Sequence, residues 1–219
     1  MNGEAVHADA LHDVDELAET VRRLLGPFAG SEIALDAGCG SGALAFALAR
    51  FVGEVVGVDA DRDALDAASA AAPPNVRLVE GDVTALPFDL GTFDIAACRG
   101  VLHHVRRPEL VVSELARVTR LGGRVLIVDQ LGSIDPLRSL EMDRFLRRQD
   151  PKHQRLLPDA DIRGYLDAND LVLVTHEVTR HRVAWGQGAG GDGGTPSLQG
   201  PAPLEVEVGW YVARKPVPT

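Results

Sequence analysis

Apolar residues in the first 130 positions form short runs that alternate with amphipathic stretches. Five runs are apolar on both faces and predict buried strands, at 33–35, 54–59, 76–80, 93–98 and 124–129. Apolar residues recur at helical spacing between them and predict helices at 43–51, 61–71 and 108–120. Strands that alternate with helices in this way predict an α/β fold, with a parallel sheet covered by helices on both faces.

The rest of the chain departs from this rhythm. A helix is predicted at 11–25 before the first strand, and after residue 130 we expect helices at 135–149 and 158–169 and two late strands at 171–174 and 206–212. We divide this single domain, 1–219, into a helical cap at 1–29, a cofactor-binding core at 30–130, a helical lid or substrate segment at 131–170 and terminal strands at 171–219 with a glycine-rich loop at 186–200. The helical cap and residues 131–160 are the expected lid.

Composition narrows the class of protein. The 219 residues are 45% hydrophobic and 25% charged, which is typical of one globular domain. A net charge of −10 argues against a nucleic-acid partner and against a polybasic membrane patch. Cys39 and Cys98 are too few for a disulfide framework or a metal knuckle. Without a signal peptide or an apolar stretch that could span a bilayer, we expect a cytoplasmic monomer or homodimer that holds no metal.

A glycine-rich turn follows the first predicted strand and opens the next helix. Its glycines, Gly38, Gly40 and Gly42, let the backbone turn tightly and approach a ligand with no Cβ between them. Free amides at the start of the helix would favour negative charge or oxygen acceptors. The segment from Gly38 to Ala43 also satisfies the dinucleotide fingerprint, so a nicotinamide cofactor stays open as an alternative.

Three carboxylates are predicted at the same edge of this sheet. Asp36 directly precedes the glycines, Asp59 ends the second strand, and Asp82 follows the third. Ligands of open α/β sheets bind at the carboxyl ends of the strands. Asp36 can face a cationic amino group but would repel a pyrophosphate, Asp59 can accept two ribose hydroxyls, and Asp82 can accept from an adenine amino group. Asp82 could equally be a turn residue.

The motifs from 35 to 42, 57 to 59 and 81 to 83, followed by 86–88, 93–94, 102–105 and 114–123, resemble the class I S-adenosylmethionine-dependent methyltransferases. The resemblance spans about residues 30–130. Residues 98–104 and 150–155 are similar to a small-molecule branch of that family, which includes the ubiquinone and menaquinone C-methyltransferases. The resemblance to this family implies a doubly wound, Rossmann-like sheet of seven strands in which the last strand is antiparallel.

The resemblance also implies a cofactor, S-adenosylmethionine, which leaves as S-adenosylhomocysteine. Asp36, Gly38 and Arg99 would lie at its methionine end, beside the turn that contains Gly40. Asp59 would hold the ribose. The adenine would lie beside three residues, Ala60, Asp82 and Val83.

Methyl transfer to a weakly acidic acceptor can need a base. His103 and His104 follow the fourth strand, at the edge of the sheet where the acceptor would meet the methyl group. We expect only one of them to face the substrate, because adjacent side chains diverge, and His104 is the first candidate. A structural or cofactor-pocket role is the alternative for both. The predicted reaction methylates carbon, oxygen or nitrogen of a small acceptor, such as a quinone or phenol. The competing functions are an inactive cofactor-binding module and a nicotinamide-dependent oxidoreductase.

Overall fold

A computed structural model describes residues 14–183 and 204–218 of the chain. The strands within these residues are β1 (Ile33–Ala37), β2 (Glu54–Asp59), β3 (Val76–Glu80), β4 (Phe93–Arg99), β5 (Thr119–Gln130), β6 (Val172–Val183) and β7 (Leu204–Arg214). The helices are α1 (Val14–Leu25), α2 (Ala43–Leu48), α3 (Arg62–Ser69), α4 (Pro108–Val118), α5 (Pro136–Gln149) and α6 (Asp159–Asp167). A single 3₁₀ turn, Leu102–His104, follows β4.

The described strands form one seven-stranded sheet in the order β3-β2-β1-β4-β5-β7-β6. The pairs from β3 to β5 are all parallel, and β7 is antiparallel to both of its neighbours, β5 and β6. The order reverses beside β1, which leads outward to β2 on one side and has β4 on the other. The predicted doubly wound sheet with an antiparallel last strand is therefore confirmed.

Two apolar clusters cover the two faces of the sheet. One contains buried residues of α1 and α2 packed on β1, β4 and β5. The other joins α4 and α6 to the opposite face. The apolar stripe of α1, which includes Leu17 and Val21, is fully buried in the first cluster. The described part of the N-terminal segment therefore packs with α2 on the sheet, and its part in a lid stays a prediction.

β5 and β6 exceed their predicted lengths by the largest margin. β5 begins at Thr119, so that Gly122 and Gly123 lie inside the strand instead of ending α4. A Cβ on Gly123 would come within 2.8 Å of the Asp94 carbonyl oxygen, so glycine permits this close approach. β6 continues to Val183 because it is an edge strand, where polar residues interrupt the apolar run but still pair with β7. The predicted glycine-rich loop at 186–200 lies outside the described residues.

Candidate functional site

A cavity of about 1130 Å³ opens at the carboxyl edge of the sheet. The first five strands each contribute a wall residue at or just after their ends, namely Gly38, Asp59, Asp82, Arg99 and Asp129. This convergence follows from parallel pairing, which brings the carboxyl ends of neighbouring strands to one edge. The cavity therefore lies where ligands of doubly wound sheets bind.

The glycine-rich turn forms the floor of this cavity. Gly38 has a φ of +75°, and a Cβ there would lie 2.4 Å from Cγ2 of Val101. Gly40 has a φ of +50°, but no atom lies within 4 Å of the position of its absent Cβ. Glycine at 38 is therefore required by packing as well as by backbone geometry. Glycine at 40 leaves open space toward the cavity.

The backbone amides of this turn already have protein acceptors. The amides of Gly38 and Cys39 donate to the carbonyl oxygen of Val58 at 2.7 and 3.0 Å, and that of Gly40 donates to Oδ2 of Asp59 at 2.8 Å. These three amides precede the start of α2, and they are paired because the turn folds back over the end of β2. A pyrophosphate would find these donors occupied, which removes support from the nicotinamide alternative.

Asp59 is fixed in the cavity wall through both carboxylate oxygens. Oδ2 accepts from the amide of Gly40, and Oδ1 accepts from the amide of Asp61 at 2.9 Å. Each oxygen has a further lone pair, so the carboxylate can still accept two adjacent hydroxyl groups. Ala60, the next residue along the chain, lines the cavity beside it. This geometry suits a ribose.

Asp82 is a turn residue that also borders the cavity. Its Oδ1 accepts from the amide of Thr84 at 2.8 Å and from the Thr84 hydroxyl at 2.7 Å. These two hydrogen bonds lower the pKa of the Asp82 carboxyl below its ordinary value. Asp82 and Val83 also line the cavity. A turn residue thus stands at the edge where the adenine is expected.

Asp36 differs from the other predicted cofactor residues because it lies beneath the cavity wall. Its side chain is 1% exposed, and neither carboxylate oxygen has a hydrogen-bond partner among the described residues. Burial raises the pKa of this carboxyl to about 7, against the opposing effect of the Arg99 guanidinium. A buried carboxylate without donors favours a nearby cation, so this residue fits the amino group of a methionine moiety.

His103 and His104 both line the cavity, with ring centroids 4.1 Å apart. That only one of them faces the substrate stays a prediction, although both lie at the cavity. Both lie there because they belong to the 3₁₀ turn, in which successive side chains are about 120° apart, whereas they point to opposite faces of a strand.

Each histidine has its own carboxylate. Nε2 of His104 lies 2.8 Å from Oδ2 of Asp150, and Nδ1 of His103 lies 2.5 Å from Oδ1 of Asp129. A carboxylate only accepts hydrogen bonds, so these are the ring nitrogens that carry hydrogen. Burial, followed by the neighbouring His103, lowers the pKa of His104 to about 4 despite Asp150. His104 is thus a weak base at neutral pH.

Several wall residues were not predicted from the sequence. Asp129 ends the fifth predicted strand and could have been found by the reasoning that selected Asp36 and Asp59. Asp150 and Lys152 come from the loop after α5, and Nζ of Lys152 lies 2.7 Å from Oδ2 of Asp61 across the cavity edge. This part of the predicted lid does border the cavity. The wall near β5 also includes five further residues: Val128, Gln130, His181, Val208 and Trp210.

Within 14–183 and 204–218, no group of three or more His, Cys, Asp or Glu side chains is arranged to hold a metal ion. None of the helices in this part of the chain is both long and apolar enough to cross a membrane. Cys39 and Cys98 are free and buried, as expected of small packed residues.

Residues 35–127 match a family described as a methyltransferase domain. The chain is 36% identical over 141 residues to the uncharacterized methyltransferase YcgJ of Bacillus subtilis. The aligned segment covers 63% of this chain and 56% of the relative. It is 37% identical over 120 residues to a ubiquinone biosynthesis O-methyltransferase of Albidiferax ferrireducens, covering 52% of this chain and 47% of the relative. The chain thus spans about half the length of the curated relatives it matches.

Solved structures share the fold. YcgJ of Bacillus subtilis superposes with a TM-score of 0.74 and 24% identity, covering 94% of this chain and 98% of that one. Geranyl diphosphate C-methyltransferase of Streptomyces coelicolor A3(2), solved with Mg²⁺, geranyl diphosphate and S-adenosylhomocysteine, gives a TM-score of 0.67 at 18% identity, covering 92% of this chain and 77% of that one. The matched family is the one that the sequence motifs predict.

Proposed function

We propose that this chain, whose residues 35–127 belong to the methyltransferase domain family, transfers a methyl group from S-adenosylmethionine to a small organic acceptor. The observation that carries the proposal is the cavity at the carboxyl edge of the sheet. It brings Asp59, Asp82, Arg99 and the histidine pair to one space of about 1130 Å³. Sites for one drug-sized ligand usually measure about 300–1,000 Å³, so this space is large enough for a cofactor and an acceptor together.

The cofactor would occupy the side of the cavity formed by β1 to β4. Asp59 would accept the ribose hydroxyls, with Ala60, Asp82 and Val83 beside the adenine. When bound, the cofactor supplies a methyl group that its positive sulfur activates for displacement. Arg99 and the turn around Gly38 and Gly40 would orient the methionine end, above the buried carboxylate of Asp36.

The acceptor would lie on the side formed by β5, β6 and β7. Val208 and Trp210 give this side apolar surface, while Gln130 and His181 add polar groups. A mixed wall of this kind suits a small molecule that has an apolar body and a few polar atoms. The similarity to proteins named ubiquinone biosynthesis O-methyltransferase and demethylmenaquinone methyltransferase supports a small-molecule acceptor. The protein's part in the reaction is to align the acceptor with the methyl group and to exclude water.

Calorimetric titration with S-adenosylmethionine, S-adenosylhomocysteine and NAD tests the cofactor assignment. We expect the first two to bind and NAD to bind at least tenfold more weakly, because the turn amides are occupied. Asp59→Asn serves as the site variant. It should weaken the binding of both S-adenosylmethionine and S-adenosylhomocysteine by about 1–3 kcal/mol, the usual loss for a hydrogen bond to a charged group. Tighter binding of NAD than of S-adenosylmethionine would refute the assignment.

Turnover separates an enzyme from an inactive binding module. The protein is incubated with deuteromethyl-labelled S-adenosylmethionine and a panel of phenols, enols and amines, and labelled products are sought by mass spectrometry. We expect a labelled product that disappears in the Asp59→Asn variant at subsaturating cofactor. Cofactor binding without transfer to any member of the panel would favour the inactive module.

A further inference from the structure

Asp129 is a buried carboxylate that the cofactor side of the site does not use. Its side chain is only 1% exposed, one residue before the end of β5. Its two oxygens have different partners: Oδ2 accepts from the amide of Leu102 at 2.7 Å, and Oδ1 lies 2.5 Å from Nδ1 of His103. Burying a carboxylate is unfavourable unless it is paired, so this arrangement points to a specific role.

The arrangement fixes which nitrogen of His103 carries hydrogen. The carboxylate of Asp129 can only accept, so the neutral ring keeps its hydrogen on Nδ1 and presents Nε2 as the basic nitrogen. His103 is also one of the residues that line the cavity. The second histidine, His104, donates from Nε2 to Asp150 and has a pKa of about 4, which makes it a poor base at neutral pH.

We propose that Asp129 is a positioning residue that makes His103 the general base of the reaction, and that the acceptor is consequently a hydroxyl compound or a carbon acid. This inference rests on the methyltransferase function proposed above. A phenol has a pKa near 10, as in the tyrosine side chain, so about 0.1% of it is ionised at pH 7. Such an acceptor gains from a base, whereas an aromatic amine already presents an electron pair.

The base takes one proton in a step that conserves atoms and electrons. The acceptor's O–H or C–H bond breaks, and its proton passes to Nε2 of His103. The electron pair left on the acceptor forms the new bond to the methyl carbon. The bond between methyl and sulfur breaks, its electrons stay on sulfur, and S-adenosylhomocysteine results. The imidazolium ion, stabilised by the carboxylate of Asp129, then returns the proton to water.

The amide of Leu102 makes Asp129→Asn a sharp test. Because that amide needs an acceptor, the new carboxamide must turn its oxygen toward Leu102 and its NH₂ group toward Nδ1 of His103. Nδ1 must then accept, so the ring hydrogen moves to Nε2, and His103 can no longer take a proton there. Serine proteases whose triad aspartate is replaced by asparagine lose activity through this same change of tautomer.

Asp143 offers a matched control. It too pairs with a histidine and a backbone amide, but one oxygen, Oδ1, accepts from both the Leu156 amide at 2.8 Å and Nε2 of His153 at 2.9 Å. An asparagine carbonyl can keep both contacts, and His153 is not part of the cavity wall. Asp143→Asn should therefore leave the tautomer of His103 and the methyl transfer unchanged.

The experiment measures the tautomer of His103 by ¹⁵N NMR on histidine-labelled protein, with the signal assigned from the His103→Gln variant. We expect hydrogen on Nδ1 in the wild type and in Asp143→Asn, and on Nε2 in Asp129→Asn. Affinity for S-adenosylhomocysteine should stay within threefold in all variants. Hydrogen on the same nitrogen in the wild type and in Asp129→Asn would overturn the positioning role, while loss of cofactor binding in the wild type would instead contradict the proposed function.

Methyl transfer to catechol, acetylacetone and aniline tests the base and the acceptor class. The wild type should prefer catechol or acetylacetone, and Asp129→Asn should reduce that rate 10²- to 10⁴-fold, the usual contribution of a general base. His103→Gln is a second test in case Asp129→Asn fails to fold, because the glutamine amide can still donate to Asp129. It should lose the same activity. Retained activity in His103→Gln, or a preference of the wild type for aniline, would overturn the inference.

Discussion

The buried carboxylate of Asp36 makes a quantitative prediction about stability and pH. Its pKa is raised from 3.8 to about 7 in the folded protein, because burial disfavours the charged form. The folded protein therefore holds a proton that the unfolded chain releases between these pH values, and stability falls as the pH rises through this window. Above pH 7 the full effect is about 4 kcal/mol, from about 1.36 kcal/mol for each pKa unit.

Asp36→Asn removes this titration while keeping the shape of the side chain. We expect its stability advantage over the wild type to grow by about 3 kcal/mol between pH 5 and pH 8. Urea unfolding at several pH values measures the free energy of unfolding, with the exposed Asp167→Asn as the matched control. Parallel stability profiles for the wild type and Asp36→Asn would refute the reasoning.

The same carboxylate should couple cofactor binding to proton release. A cation bound near Asp36 favours its charged form, so binding of S-adenosylmethionine at pH 7 should release a fraction of a proton from the wild type. Calorimetry in buffers of different ionisation enthalpy measures this fraction. Asp36→Asn should release none and bind the cofactor more weakly, whereas equal proton release in both proteins would show that another group titrates.

Three further results are expected. Gly40→Ala should weaken cofactor binding at least tenfold in calorimetry but lower stability by only about 1–2 kcal/mol, the strain of a left-handed residue. Gly38→Ala should lower Tm further than Gly40→Ala does, because its Cβ also clashes with Val101. The free energy of unfolding of the wild type should fall by up to about 3 kcal/mol as the pH falls from 6.5 toward 4, because His104 stays neutral in the folded protein while the unfolded chain takes up a proton. In acid titrations, His104→Gln should make this free energy depend less on pH. Lys152→Met should raise the dissociation rate of S-adenosylhomocysteine a few-fold in stopped-flow measurements, since it removes the ion pair across the cavity edge.

The cofactor side of the cavity could be predicted because its determinants are local. Apolar runs identify β1 to β4, and parallel pairing then brings the residues at their ends together. Asp59 and Asp82 needed no further information. The hydrogen bonds of the glycine-rich turn could not be predicted in this way, because their acceptors on Val58 and Asp59 depend on how the turn folds back over β2.

The other side depends on contacts between distant parts of the chain. His103 meets Asp129, and His104 meets Asp150, across 26 and 46 positions of the sequence. Local hydrophobic spacing can place Asp129 at the edge of the sheet, but it does not pair Asp129 with His103 and gives no sign of Asp150. The packing of α1 could not be predicted for a similar reason: an amphipathic helix can pack on a sheet or cover a site, and only the tertiary structure shows that Leu17 lies in the core.

The two sides of the cavity also differ in which part of the chain they come from, and the matched family covers only one of these parts. The family match ends at residue 127, so it contains Asp59, Asp82 and both cavity histidines but stops before Asp129. The walls that would meet the acceptor, from the end of β5, the loop after α5 and the β6–β7 pair, all come later in the chain. A family defined by its common cofactor therefore does not define this chain's acceptor. Changes in the cavity walls after residue 127 should alter which acceptor is methylated, whereas changes at Asp59 or Asp82 in the matched segment should alter binding of the cofactor.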